Sequence, residues 1–95
     1  MGRRPSRRQA RRDALFVLYQ REVRGEVVER LLEELRLREG YAPDEFTVTC
    51  VRGVLADCAR CDAAIARHSR DWPVERLAPL ERSMLRLAIY EIESG

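Results

Sequence analysis

The sequence predicts an all-α fold, and three observations carry that expectation. Apolar residues recur at helical spacing in four stretches. Glycine, proline and capping residues stand where those stretches start and stop, and no strand-like alternation runs long enough to matter. At 95 residues the chain makes one small domain with a correspondingly small core.

The first stretch, Arg3 to Tyr19, organises the rest. Six arginines stand at 3, 4, 7, 8, 11 and 12 with no acid before Asp13, and Ala14 to Tyr19 are apolar or aromatic at every position. Residues four apart lie above one another on a helix, about 5.4 Å along its axis. The rows 3/7/11 and 4/8/12 therefore form a strip two guanidinium groups wide. Pro5 pushes the residue before it out of helical geometry, so residues 1–5 are expected to be a loose basic arm, with Ser6 as N-cap. The helix should run to Arg24 and stop at Gly25, which suits the left-handed position after a helix. Its second half, apolar on all sides, must insert among other helices, while its charged first half is expected to project from the body.

Folding alone does not ask for such a strip. Positive charge at a helix N-terminus opposes the macrodipole by about 0.3–1 kcal/mol per residue, and like charges four apart repel. A demand from outside the fold explains it, with an RNA or DNA phosphate backbone as the first candidate and mere solubility as the alternative. The net charge is only +2, because residues 13–95 hold twelve Arg against sixteen Asp and Glu. The basic character is local to the start of the chain.

A second amphipathic helix follows directly, with Val27, Val28, Leu31, Leu32, Leu35 and Leu37 on its apolar side. The turn before it is short, so the two should pack as an antiparallel hairpin. Gly40 and Pro43 end it. Asp44 caps a third helix, whose period through Phe46, Val51, Val54, Leu55, Cys58, Cys61 and Ile65 is continuous to about Ser69. Trp72-Pro73 breaks the run, and Pro79 opens a fourth helix, Leu80 to Glu93. Residues 6–70 thus read as a three-helix N-terminal half and 71–95 as the start of a second helical half of one domain, with Trp72 and Tyr90 as core residues. From Met84 onward apolar residues cover most of the fourth helix's circumference. Three helices are few to enclose it, so either the domain as given is incomplete or a partner covers this helix, self-association included.

Several function classes find no support. No apolar run approaches the ~20 residues that span a bilayer, and the basic start lacks the long apolar region and cleavage site of a signal peptide. The expected location is the cytoplasm, with no membrane partner. Cys58-x-x-Cys61, with Cys50 and His68, invites a metal reading. On one helix, however, Cys50 and Cys61 would lie ~16 Å apart and Cys61 and His68 ~10 Å, whereas zinc holds each ligand within ~2.3 Å. No metal or other cofactor is expected, and the cysteines read as small core residues. One His, no Gly-rich phosphate loop and no nucleophile beside a base leave catalysis without a candidate residue.

Two segments resemble the NusB family of bacterial transcription antitermination factors. SRRQARRDALFVLYQRE is similar to the family's opening helix, and DWPVERLAPLERSMLRLAIYEIE to its W-x-x-x-R-L and L-R-x-A-x-Y-E signature. The resemblance implies a NusB-like helical bundle, here of about four helices with the C-terminal ones missing. It further implies a non-enzymatic protein that binds single-stranded boxA-type RNA together with NusE, a small-subunit ribosomal protein, and acts indirectly on the RNA polymerase elongation complex. RNA contacts would fall on Arg7, Arg8, Arg11 and Arg12, with Tyr19 beyond them. For Tyr19, core packing and base contact are evenly matched. The start of the fourth helix, with Glu81, Arg82 and Arg86, is implicated in RNA or NusE contact. Arg86, inside an apolar helix, would alternatively pair with Glu81 or Asp57 for structural reasons. Two other readings stand beside this one: the RNA-binding domain of a ribosomal-RNA cytosine methyltransferase, and a protein-only helical adaptor.

Overall fold

The computed structural model describes residues 4–68 and 73–94, so Arg3 and Trp72 lie outside the described residues. The described chain forms five α-helices and a 3₁₀ turn: α1 (Arg7–Arg24), α2 (Val28–Glu39), α3 (Glu45–Ala56), α4 (Cys58–His68), the turn Val74–Arg76, and α5 (Pro79–Ser94).

Local chemistry explains the ends. The Ser6 hydroxyl accepts from the Gln9 amide at 3.1 Å, and Asp44 accepts from the Phe46 amide at 3.0 Å. Each occupies one of the amides that a helix start leaves without an intrahelical partner. Gly25 and Gly40 close α1 and α2 with φ of 67° and 79°, a left-handed conformation that a Cβ disfavours. Pro79 opens α5, and Glu81 reaches back to accept from the Ala78 amide at 3.2 Å, the return arm of a capping box.

The expected continuous third helix is instead two. Asp57 sits between α3 and α4 at φ −109° and ψ 25°, while the bonds Asp57 N to Gly53 O and Cys61 N to Asp57 O, at 3.0 and 2.9 Å, carry the ladder across the bend. The bend lets the two segments serve different neighbours. Cys50, Val51 and Val54 of α3 pack into the central core, and α4 lies on α5 and buries Cys61, Ala64 and Ile65. Asp is a weak helix former at the junction because its side chain competes for nearby backbone groups.

The core is built around α1. Ala14, Val17 and Leu18 meet Leu31 and Leu35 of α2, Cys50, Val51 and Val54 of α3, and Leu87 of α5. α2 runs back along α1: Arg24 forms a two-point pair with Glu34, and Arg38 lies 3.8 Å over the Phe16 ring. α5 crosses α3 where Gly53 removes a side chain, so that the Tyr90 ring rests where a Cβ would stand. α5 buries Ser83 and Leu87 and leaves Leu80, Met84, Leu85 and Ile92 exposed, Ile92 at 77%. No described helix is long and apolar enough to cross a membrane.

Candidate nucleic-acid interface

The charged half of α1 does not project from the body as its sequence suggests. Ala10 is buried, and its carbonyl accepts from the buried Thr47 hydroxyl at 2.8 Å, which docks this half of α1 on α3. One turn on, Asp13 is buried at 1% exposure with no ion pair among the described residues; its oxygens accept from Gln9 Nε2 at 3.0 Å and from the Tyr41 hydroxyl at 2.7 Å. Burial, reinforced by the hydrogen bond to Asp13, pushes the Tyr41 hydroxyl up to about 12. Small residues and short polar bonds under the helix allow its arginines to spread around the exposed side.

Docking separates the two rows of guanidinium groups. Arg7 lies 4.0 Å over the Phe46 ring and Arg11 lies 5.5 Å from the same ring. Arg11 also grips Glu91 of α5: Nε stands 2.9 Å from both carboxylate oxygens and the terminal nitrogen 2.8 Å from Oε1. Hydrogen bonding to that carboxylate raises the Arg11 pKa further. Arg4, in the segment expected to be a loose arm, pairs with Asp44 at 3.1 Å while remaining 81% exposed. Arg8 and Arg12 are exposed and have no ion pair among the described residues.

Beside Arg8 and Arg12 a groove runs between α1 and α5, with a volume of about 350 Å³. Leu15, Met84, Leu87 and Ala88 supply its apolar wall, and Arg8, Arg11, Arg12 and Glu91 its polar rim. Tyr19 is half-buried and lies outside that lining. It follows Arg12 by seven residues, which places it on the same face of the helix about 10.5 Å further along.

The fifth helix carries the other three candidate residues. Arg82 donates to Glu22 at 2.8 Å and to the Val74 and Leu77 carbonyls at 3.2 and 3.4 Å. Arg86, its side chain 13% exposed, makes a two-point pair with Asp62 at 2.7 and 2.8 Å and approaches Glu22 at 3.5 Å. Its structural partners are therefore Asp62 and Glu22, not Glu81 or Asp57: Glu81 is engaged at the start of α5, and Asp57 lies at the α3–α4 junction. These pairs tie α1, α4 and α5 together.

The cysteines have a different character. Cys50 and Cys61 are buried and Cys58 is half-buried. Burial raises all three thiols, Cys50 to about 11, so they stay protonated at neutral pH and are weak ligands and nucleophiles. Among the described residues no group of three or more His, Cys, Asp or Glu is placed to hold a metal ion.

The model of the NusB family matches residues 8–94, nearly the whole chain. The chain belongs to the NusB family. It is 41% identical over 87 residues to the transcription antitermination protein NusB of Rubrobacter xylanophilus, covering 92% of this chain and 62% of that one. The Bacillus cereus (strain B4264) protein of the same name is 36% identical, with 92% and 67% covered. The chain thus spans about three fifths to two thirds of these bacterial relatives. Among solved structures, a chain from "Crystal Structure of a Plectonemic RNA Supercoil" matches with a TM-score of 0.83 and 29% identity, over 90% of this chain and 64% of that one. The solution structure of NusB from Aquifex aeolicus matches with a TM-score of 0.69 and 29% identity, over 90% and 60%.

Proposed function

We propose that this NusB-family chain is a non-enzymatic, RNA-binding transcription antitermination factor that engages single-stranded boxA-type RNA through α1 and acts with NusE. The observation that carries the reading is the pair Arg8 and Arg12: exposed, one helical turn apart, without an acidic partner among the described residues, beside an apolar groove. Free guanidinium groups spaced along a helix suit consecutive phosphates. In this reading Arg8 and Arg12 take the direct phosphate contacts, Arg7 stands behind them and adds to the local positive potential, and Arg11 is held by Glu91. Phosphate contacts position a strand without reading its sequence. Discrimination therefore falls to groups such as Tyr19, whose ring a base can stack on, and to NusE. The names of the curated relatives point the same way, as does the RNA supercoil for which one structural neighbour is named. Arg82 and Arg86 hold helices together, and Glu81 caps one, so any part they play in RNA or NusE contact comes through placing α5. The exposed apolar residues of α5 are the surface through which self-association would act.

The test is a binding titration with boxA-type RNA and a scrambled control, with and without NusE, on the wild type and the Arg7, Arg8, Arg11 and Arg12 to Ala variant. The variant should retain its helical content and lose affinity steeply. Its plot of log affinity against log salt should flatten by about 0.7 for each phosphate no longer engaged. An unchanged slope would remove RNA from the reading and leave a protein-only adaptor.

A further inference from the structure

Arg11 and Glu91 are eighty positions apart in sequence and meet across the α1–α5 groove. Both Glu91 oxygens are engaged, at 2.8 to 2.9 Å. A two-point carboxylate satisfies the same face of a guanidinium that a phosphate would use. The Arg11 side chain is 47% exposed and Glu91 23%, so the carboxylate is the better sheltered partner and the pair is less screened than one in open water. A phosphate approaching Arg11 would also come within a few ångströms of a like charge.

We infer that Glu91 withholds Arg11 from RNA, acting as a built-in counter-charge that limits how many phosphates α1 engages and keeps the backbone of the strand on the Arg8–Arg12 edge. The inference rests on the RNA-binding reading above and deepens it. Along the groove one wall presents Arg8 and Arg12, which have no ion pair among the described residues, and the other presents a carboxylate whose charge is already matched. A polyanion is drawn to the first and finds no unmatched cation on the second. The apolar wall of Leu15, Met84 and Ala88 then faces the base side of a strand on that edge, not its phosphates. Glu91 is in this sense a positioning residue: it touches no RNA and decides which arginines do.

Four variants test this with the same single-stranded boxA-type RNA, read as the slope of log affinity against log salt, with circular dichroism and melting measured alongside. Glu91→Gln frees Arg11, and the slope should steepen by about 0.7, an extra loss of roughly 2–3-fold in affinity between 50 and 200 mM salt. Arg11→Gln should leave the slope where it is, whereas Arg8→Gln should flatten it by about 0.7. The swap of Arg11→Glu with Glu91→Arg restores the pair in reverse and should keep both the melting temperature and the slope near wild type, which guards against a Glu91→Gln protein that folds poorly. A purely structural pair would lower melting temperature and affinity without steepening the slope. If Arg11→Gln flattens the slope as much as Arg8→Gln, or folded Glu91→Gln leaves it unchanged, Glu91 withholds nothing and the inference is overturned. If Arg8→Gln changes nothing either, the RNA-binding reading falls, and this inference with it.

Discussion

Arg7 and Arg11, and Arg8 and Arg12, are two pairs of one residue type on one helix at one spacing, yet the fold treats them differently. The first pair faces inward edges of the bundle, where Phe46 and Glu91 receive the guanidinium groups. The second faces solvent beside a groove and has no acidic partner among the described residues. Arginine content by itself therefore does not measure binding capacity. What an arginine can offer a ligand depends on what its own fold has already placed against it, and an eighteen-arginine chain contains both kinds.

The largest expected effect sharpens the comparison at its structural extreme. Arg86 is more committed than either α1 row, with a two-point pair to Asp62 and a contact to Glu22. Arg86→Ala leaves Asp62 short of its cation, while Glu22 keeps Arg82 at 2.8 Å, and should cost about 1.5–3 kcal/mol of stability, measured by urea unfolding. The salt dependence of RNA binding by the folded fraction should stay unchanged. Loss of salt dependence at unchanged stability would place Arg86 with the outward arginines instead.

A smaller effect concerns how α1 is held so that its rows face as they do. The Tyr41 hydroxyl, raised to about 12 by burial and its bond to Asp13, stays neutral in the folded state to higher pH than in the unfolded chain, where it ionises near 10. Its contribution is thus fully present below pH 10 and is lost as pH rises toward 12. Wild-type stability should fall more steeply across that window than the stability of Tyr41→Phe, followed by chemical unfolding at a series of pH values. Equal slopes would mean that the Tyr41–Asp13 bond does not anchor the helix.

Much of the fold was legible because its signals are local. Ser6, Gly25, Gly40, Asp44 and Pro79 mark helix ends through the chemistry of one or two neighbours, and each stands at the expected end. The bend at Asp57 was hidden because the apolar period runs through it unbroken, from Val54 to Cys58, Cys61 and Ile65; the change is in which helix each half meets. The candidate site was legible only as a strip. Its division depends on Phe46 and Glu91, which come near α1 only when α3 and α5 pack, and no spacing within residues 3–12 encodes that. Asp13 gave a weak signal, with Gln9 four residues before it, but its second hydrogen-bond partner is Tyr41, 28 positions away. Arg86 needs a partner because it stands in an apolar helix, and that much is local; Asp62 becomes identifiable as the partner only once α4 lies on α5.

The most direct comparison sets the two rows against each other in one experiment: Arg8→Ala with Arg12→Ala in one protein, Arg7→Ala with Arg11→Ala in the other, each titrated with boxA-type RNA over a range of salt and melted in parallel. The outward pair should flatten the salt slope by about 1.4 with an unchanged melting temperature, and the inward pair should lower the melting temperature while moving the slope by less than half as much. Equal flattening by both pairs would contradict the division of the helix into a row that binds and a row that holds.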